Sequence, residues 1–269
     1  EIDRVRRTGT RITGVHVSNG SVLDADHVAR ASGAIHTPAL LLRSGIAPNG
    51  VGGVGPVGTG LQDHPAAALT LELRAGAAAD PGSLVVGTLL QQRVGRHLMQ
   101  VMPMNHLGRQ PGNKGLAVLM TALMTPTGAD GTVTIDSNGR PIIDFALLQR
   151  DEDLDALAAS VRFTLELLTQ PAFTEIVETV YIDDAGTTAD ALTDDHALRT
   201  WLRSRGGEYV HASSSCAMGS VVDDHYAVIG HEGLSICDAS IFPSIPHVNT
   251  HLPVTMAAER FCLRETMRP

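Results

Sequence analysis

The chain has 269 residues, 43% of them hydrophobic and 18% charged, enough to bury a substantial core in one large domain or two. A formal charge of −9 with no basic cluster argues against a nucleic-acid surface, and no apolar run approaches the ~18 residues of a membrane span. Three cysteines, Cys216, Cys237 and Cys262, show no CxxC spacing and cannot all pair, which favours a reducing compartment such as the cytoplasm.

The chain opens on Glu1-Ile2-Asp3-Arg4-Val5, already strand-like and without an initiator Met, so an upstream segment is expected outside it. Arg4, Arg6, Arg7 and Arg11 form the densest positive group and read as the solvated face of an edge strand. Residues 10–17 alternate as a half-buried strand, and Ser18-Asn19-Gly20 supplies a hairpin turn because Asn-Gly tolerates positive φ. Residues 22–30 then read as one returning strand. Thr37 is expected as N-cap and Pro38 as the first helical residue, with the helix of Ala39 to Arg43 stopping at Ser44-Gly45.

A glycine-rich loop follows, containing a formal GxGxxG in Gly53-Val54-Gly55-Pro56-Val57-Gly58. It lacks the preceding strand and following helix of a dinucleotide site, and Pro56 interrupts it, so it reads as a plain loop closed by Leu61-Gln62-Asp63-His64-Pro65. Residues 66–115 carry mixed strand signals. Residues 131–135 and 141–145 read as strands around Ser137-Asn138-Gly139. Residues 151–168 form an amphipathic helix with a stripe of Leu154, Leu157, Ala158, Val161, Leu165 and Leu168 and acidic residues in its first turn. A second helix is expected from Asp194 to Arg203. Leu234-Ser235-Ile236-Cys237-Asp238-Ala239-Ser240 reads as a buried strand ending in a polar turn.

Two histidines stand in unusual contexts. His211 opens a run of small and hydroxylated residues ending at Gly219, and His251 precedes an apolar, Ala-rich stretch that reads as a helix. A strand, a turn and a helix entrance bearing a second imidazole can build a proton-transfer site. Each could instead be a buried, hydrogen-bonded histidine. Cys216 near His211 is an alternative nucleophile, and His247 with His251 an alternative i,i+4 metal pair, although Pro246 and Pro253 interrupt the helix and no third ligand stands out. No metal is expected. His64 reads as structural beside Asp63.

Three stretches resemble the glucose-methanol-choline (GMC) family of flavin oxidoreductases. Gly33-Ala34-Ile35-His36-Thr37-Pro38-Ala39-Leu40-Leu41-Leu42-Arg43-Ser44-Gly45-Ile46 is similar to the family signature GAxxSPxLLxxSGI. Val57-Gly58-Thr59-Gly60-Leu61-Gln62-Asp63-His64-Pro65 resembles VGxNLQDHP, and the last quarter resembles the block HxxGTxxMG, a DAS turn and NTxxP. Two departures occur: Ser214 stands for the Gly of HxxGT, and Gly60 for the Asn of NLQDHP.

The resemblance implies an α/β fold: a Rossmann-like FAD-binding portion over residues 1–65 and 206–269, flanking a substrate domain with an antiparallel sheet and helices over residues 66–205. It implies FAD as cofactor, His211 as general base and His251 as the partner that orients the substrate oxygen. A base of this kind contributes roughly 10²–10⁴-fold, and histidine suits the task because its ordinary pKa is about 6.5. Ile2, Asp238, Ala239, Asn249, Thr250 and Leu252 are implied to meet FAD. The implied reaction is oxidation of a primary or aromatic alcohol to the aldehyde by hydride transfer. Alternatives on the same scaffold are a hydroxynitrile lyase or a fragment that only binds a partner chain. The family's ADP-binding GxGxxG lies upstream of the matched region, so a separate or missing N-terminal half is the expected partner, beside a small-molecule alcohol.

Overall fold

The computed structural model describes residues 1–46, 56–77, 88–104 and 115–266. In chain order the elements are β1 (Ile2–Thr8), β2 (Arg11–Val17), β3 (Val22–Asp24), β4 (Val28–Arg30), α1 (Gly33–Arg43), β5 (Thr59–Leu61), β6 (Pro65–Leu73), β7 (Leu90–Val94), β8 (His97–Met104) and β9 (Leu116–Leu123). They continue with β10 (Gly131–Ile135), β11 (Pro141–Asp144), α2 (Asp151–Leu168), α3 (Pro171–Thr174), β12 (Val177–Tyr181), α4 (Asp195–Arg205), β13 (Gly207–Glu208), β14 (Leu234–Ile236) and α5 (His251–Thr266). The mixture of helices with antiparallel and parallel strands is the expected α/β class. Half of the GxGxxG run, residues 53–55, lies outside the described residues.

Two compact units result. The first comprises Glu1–Asp63, Gly128–Ala146 and Val210–Pro269, and the second His64–Thr127 and Leu147–Tyr209. The hairpin of residues 131–144 therefore joins the first unit, although the sequence boundaries placed it in the 66–205 domain. The reason is a strand pairing distant in sequence: β10 continues onto β5, with Gly131 opposite Leu61. A Cβ on Gly131 would lie 2.4 Å from the Leu61 carbonyl oxygen, so this approach requires glycine.

In the first unit β1, β2 and β3 form an antiparallel sheet, with Gly20 at φ +87° in the β2–β3 turn. The expected single strand over residues 22–30 is two. β3 pairs antiparallel with β2, whereas β4 leaves that sheet and runs parallel to β14, Val28 opposite Leu234. The core collects Val5, Ile12, Leu40, Leu41, Ile46, Val221, Val228, Leu234 and Ile236.

Helix α1 also starts earlier than expected, at Gly33, so Thr37 and Pro38 lie inside it. The cap comes from far along the chain: the Asp238 carboxylate accepts from the Gly33 N–H (2.9 Å) and the Thr37 hydroxyl (2.6 Å). Pro38 has no N–H to offer the Ala34 carbonyl one turn back. The Ser215 hydroxyl takes its place, donating to that carbonyl at 2.6 Å. Sequence-local rules for helix starts cannot see either partner.

The second unit is a six-stranded antiparallel sheet, ordered β12-β6-β9-β8-β7 with β13 on β6. Strict alternation sends Ala67, Leu69, Leu71 and Leu73 of β6, Met99 and Val101 of β8, and Ala117, Leu119 and Leu123 of β9 into one core with Leu154, Leu157, Ala158 and Val161 of α2. The helix spans the expected residues. Its N-terminal Asp153 accepts from the Thr127 N–H through both carboxylate oxygens at 3.0 Å. The opposite sheet face carries Ala66, Leu98, Met102, Met120, Ala122, Met124 and Tyr209. Helix α4 starts as expected on an Asp194 cap that accepts from the Ala197 N–H, and runs to Arg205.

Candidate active site

The site assembles in the first unit on the loop that carries His211. On one side residues 58–63 run along it: the Gly58 N–H donates to the Ser215 carbonyl (2.7 Å), Gln62 and Ser213 exchange backbone bonds at 3.0 and 2.9 Å, and the Asp63 carboxylate accepts the His211 N–H through both oxygens at 3.0 and 2.9 Å. On the other side Ser214, Cys216 and Met218 donate their N–H groups to the carbonyls of Ala239, Ser240 and Ile241. The loop is thus clamped between the Gly58–Asp63 segment and the polar turn after β14.

The backbone within this clamp is contorted. Val210 has φ +57° with its side chain 85% exposed, and Ser214 has φ +75°. A β-branched residue in the left-handed region is an outlier that persists only where surrounding contacts enforce it. The same geometry bears differently on the two departures from the family pattern. Ser214 fills a position whose positive φ favours glycine, and Gly60, at φ +75°, fills one that Gly and Asn both tolerate. The Gly60 substitution thus preserves the backbone, with only the Ser214 carbonyl oxygen among the described residues within 4 Å of an added Cβ, at 3.8 Å. Ser214 instead carries strain, and its buried hydroxyl has no hydrogen-bond partner among the described residues.

His211 itself is half-buried, and desolvation lowers its pKa from the ordinary histidine range. Burial disfavours the imidazolium, so the ring stays in its proton-accepting form to lower pH. Cys216 does not suit nucleophilic chemistry. Its side chain is fully buried, and burial followed by the nearby Asp238 charge pushes the thiol far above its ordinary range.

His251 is the first residue of α5, and the first i→i−4 bond of that helix runs from the Val254 N–H to the Thr250 carbonyl. The leading amides of His251 and Leu252 therefore have no intrahelical acceptor, and Pro253 sits in the first turn where a missing N–H is harmless. Asn249, His251 and Leu252 are exposed and Thr250 is half-buried. His247 lies outside the helix, which removes the i,i+4 spacing that the metal alternative needs. Among the described residues no group of three His, Cys, Asp or Glu stands together.

Asp238 is buried, and its carboxylate is committed to the Gly33, Thr37 and Ser240 donors. Ala239 opens the short 3-10 turn that follows. Ile2 lies in β1 opposite Val17 and packs against the core of this unit. His64 is fully buried. Two residues that sequence reasoning treated as loop closure hold the site: Gln62 and Asp63. The segment stands out in the sequence by its likeness to NLQDHP, and nothing local to it signals which distant amides it binds.

Comparison with known proteins identifies the family. Family models described as GMC oxidoreductase match residues 1–66 and 126–258. The chain is 31% identical to an uncharacterised GMC-type oxidoreductase of Rhodococcus erythropolis over 96% of its own length and 53% of that protein's. It is 30% identical to 5-(hydroxymethyl)furfural oxidase of Methylovorus sp. over 94% of its length and 54% of the relative's. Pyridoxine 4-oxidase of Mesorbium loti shares the fold, with a TM-score of 0.77 and 21% identity over 100% of this chain and 57% of that one. The chain spans about half the length of these curated relatives. With family models matched over residues 1–66 and 126–258 and a relative 31% identical over 96% of its length, the chain belongs to the GMC oxidoreductase family.

Proposed function

We propose that this chain carries the general base of an FAD-dependent oxidoreductase that converts a primary or aromatic alcohol to its aldehyde. The observation that carries the reading is His211: an imidazole kept neutral by burial, on a backbone fixed by a buried carboxylate. The Methylovorus relative, named for oxidation of a hydroxymethyl-substituted furan, supports the substrate class.

The residues present fit a flavin. The leading amides of α5 and of the turn at Asp238 and Ala239 offer a set of donors, and the one carboxylate among them is already occupied by internal partners. Helix N-termini and free backbone N–H groups favour negative charge. Asn249, Thr250 and Leu252 would hold the electron-rich end of the cofactor, Asp238 and Ala239 its remainder through their backbones, and Ile2 its adenine. When bound, FAD supplies the hydride acceptor.

The chain's own part is proton handling. His211 takes the hydroxyl proton of the alcohol, and His251 holds the substrate oxygen as negative charge develops on it. The half of the relatives' length that the chain does not span supplies the rest of the flavin site, as an upstream segment or a partner chain. Two observations support such a completion. Among the described residues strand β4 has a sheet neighbour on one side only, β14, and a parallel pair is otherwise a marginal structure. Leu252, Met256 and Leu263, on one stripe of α5, are each more than 60% exposed.

The test is anaerobic addition of an aryl-substituted primary alcohol to the flavin-loaded protein. Bleaching of the visible flavin absorbance with aldehyde formation is expected. Release of cyanide from mandelonitrile with no bleaching by any alcohol would replace this reading with the lyase.

A further inference from the structure

The two histidine-bearing segments are tied to one dipeptide. Gln62 exchanges backbone bonds with Ser213, its side-chain oxygen accepts the Ile245 N–H at 2.9 Å, and its side-chain nitrogen donates to the Gly128 carbonyl at 2.9 Å. Asp63 accepts the His211 N–H through both oxygens. Gln62 is 6% exposed and Asp63 1% exposed, so these bonds form away from water. Ile245 is itself buried and begins the segment Pro246-His247-Val248-Asn249-Thr250 that leads into His251.

We propose that Gln62 and Asp63 are a positioning pair that sets His211 against the entrance of α5, Asp63 by fixing the His211 backbone and Gln62 by fixing the loop before His251. The inference rests on the reading of His211 as base. Neither residue is placed in contact with substrate.

Three features of the geometry point this way. First, the Asp63 bonds sit next to the strained Val210. A carboxylate gripping the following N–H with both oxygens is the kind of contact that holds a left-handed β-branched residue in place. Second, Gln62 uses both ends of its amide, one as acceptor and one as donor, so a carboxylate or an aliphatic side chain cannot replace it in full. Third, the segment itself is anchored: the Gly58 carbonyl accepts the Val133 N–H at 2.6 Å, and β5 pairs with β10. A fixed segment bonded to both histidine loops transmits its own rigidity to each.

Catalysis by a positioned base is sensitive to displacements of about 1 Å, so loss of either tie lowers the chemical step more than it weakens substrate binding. Asp63→Asn and Gln62→Met separate the ties, and Gln62→Glu restores the acceptor for Ile245 while losing the donor to Gly128. The measurements are amide hydrogen exchange at His211 and Ile245, the urea midpoint, and the anaerobic flavin reduction rate with the alcohol Kd in the flavin-loaded protein.

Asp63→Asn is expected to speed exchange at the His211 amide roughly tenfold or more while sparing Ile245. Gln62→Met does the reverse, and Gln62→Glu recovers Ile245 protection. Reduction slows in Asp63→Asn and Gln62→Met by roughly tenfold or more, with Kd changed by less than about threefold. The proposal is overturned if both amides lose protection together in step with the urea midpoint, if neither changes, or if Gln62→Glu protects Ile245 no better than Gln62→Met. If Asp63→Asn is too unstable to purify, Asp63→Glu takes its place: reduction that slows in step with lost His211 protection supports the pair, and a rate that does not follow that protection contradicts it. Unchanged reduction in His211→Ala would instead remove the base reading and leave the exchange pattern as it stands.

Discussion

Replacing Ser214 by glycine should make the first unit more stable. Ser214 holds φ at +75°, and an L-residue in the left-handed region costs about 1–2 kcal/mol that glycine does not incur. Its buried hydroxyl has no hydrogen-bond partner among the described residues, which adds about 1 kcal/mol or more of desolvation cost that the substitution removes. Against this, glycine gives the unfolded chain more freedom, worth about 0.5–1 kcal/mol. The net expectation for Ser214→Gly is a gain of about 1–2 kcal/mol. The backbone bond from the Ser214 N–H to the Ala239 carbonyl is kept, so no tie of the clamp is lost. Urea unfolding of the two proteins side by side measures the difference, with an unchanged slope showing that the unfolded states are alike. A midpoint that falls, or does not move, would refute the reasoning, because it would mean that the serine Cβ or hydroxyl makes a contact more valuable than its strain.

Other perturbations test other links. Gly58→Ala should cost about 2–4 kcal/mol, since φ is +82° and the new Cβ would lie 2.1 Å from the Val133 carbonyl oxygen; thermal unfolding checks it, and an unchanged Tm would show that the approach relaxes freely. Leu157→Ala, at a fully buried position where α2 packs on the sheet of the second unit, should lose about 2–5 kcal/mol in urea unfolding. Burial lowers the pKa of both His211 and His231. The unfolded state therefore takes up more protons than the folded one as pH falls below about 6.5, and stability declines through that window toward the folded midpoints. A double substitution of these histidines by glutamine should flatten that slope in urea midpoints measured from pH 7 to pH 5.

What the sequence makes legible is local. Helix α2 is found over its full span because its stripe of Leu154, Leu157, Ala158, Val161 and Leu168 repeats at helical spacing beneath three acidic residues. The turns at Asn19-Gly20 and Asn138-Gly139 follow from the backbone tolerance of those residues. The start of α1 is missed because its cap, Asp238, lies about two hundred residues away, and the acceptor freed by Pro38 is met by a serine from the His211 loop. For the same reason residues 22–30 read as one strand: only the parallel partner β14 shows that β4 has changed sheets. At the site, His211 and His251 stand out by context and resemblance. Gln62 and Asp63 do not, because their bonds run to residues some 66 to 183 positions away.

The central claim is that His211 takes the substrate proton. Stopped-flow measurement of anaerobic flavin reduction by an alcohol, comparing the unaltered protein with His211→Ala, tests it most directly. The account predicts a fall of roughly 10²–10⁴-fold at saturating alcohol, with flavin content unchanged. The unaltered rate should persist below the pH at which an ordinary histidine is protonated, because burial keeps this imidazole neutral. A reduction rate equal in the two proteins would contradict it.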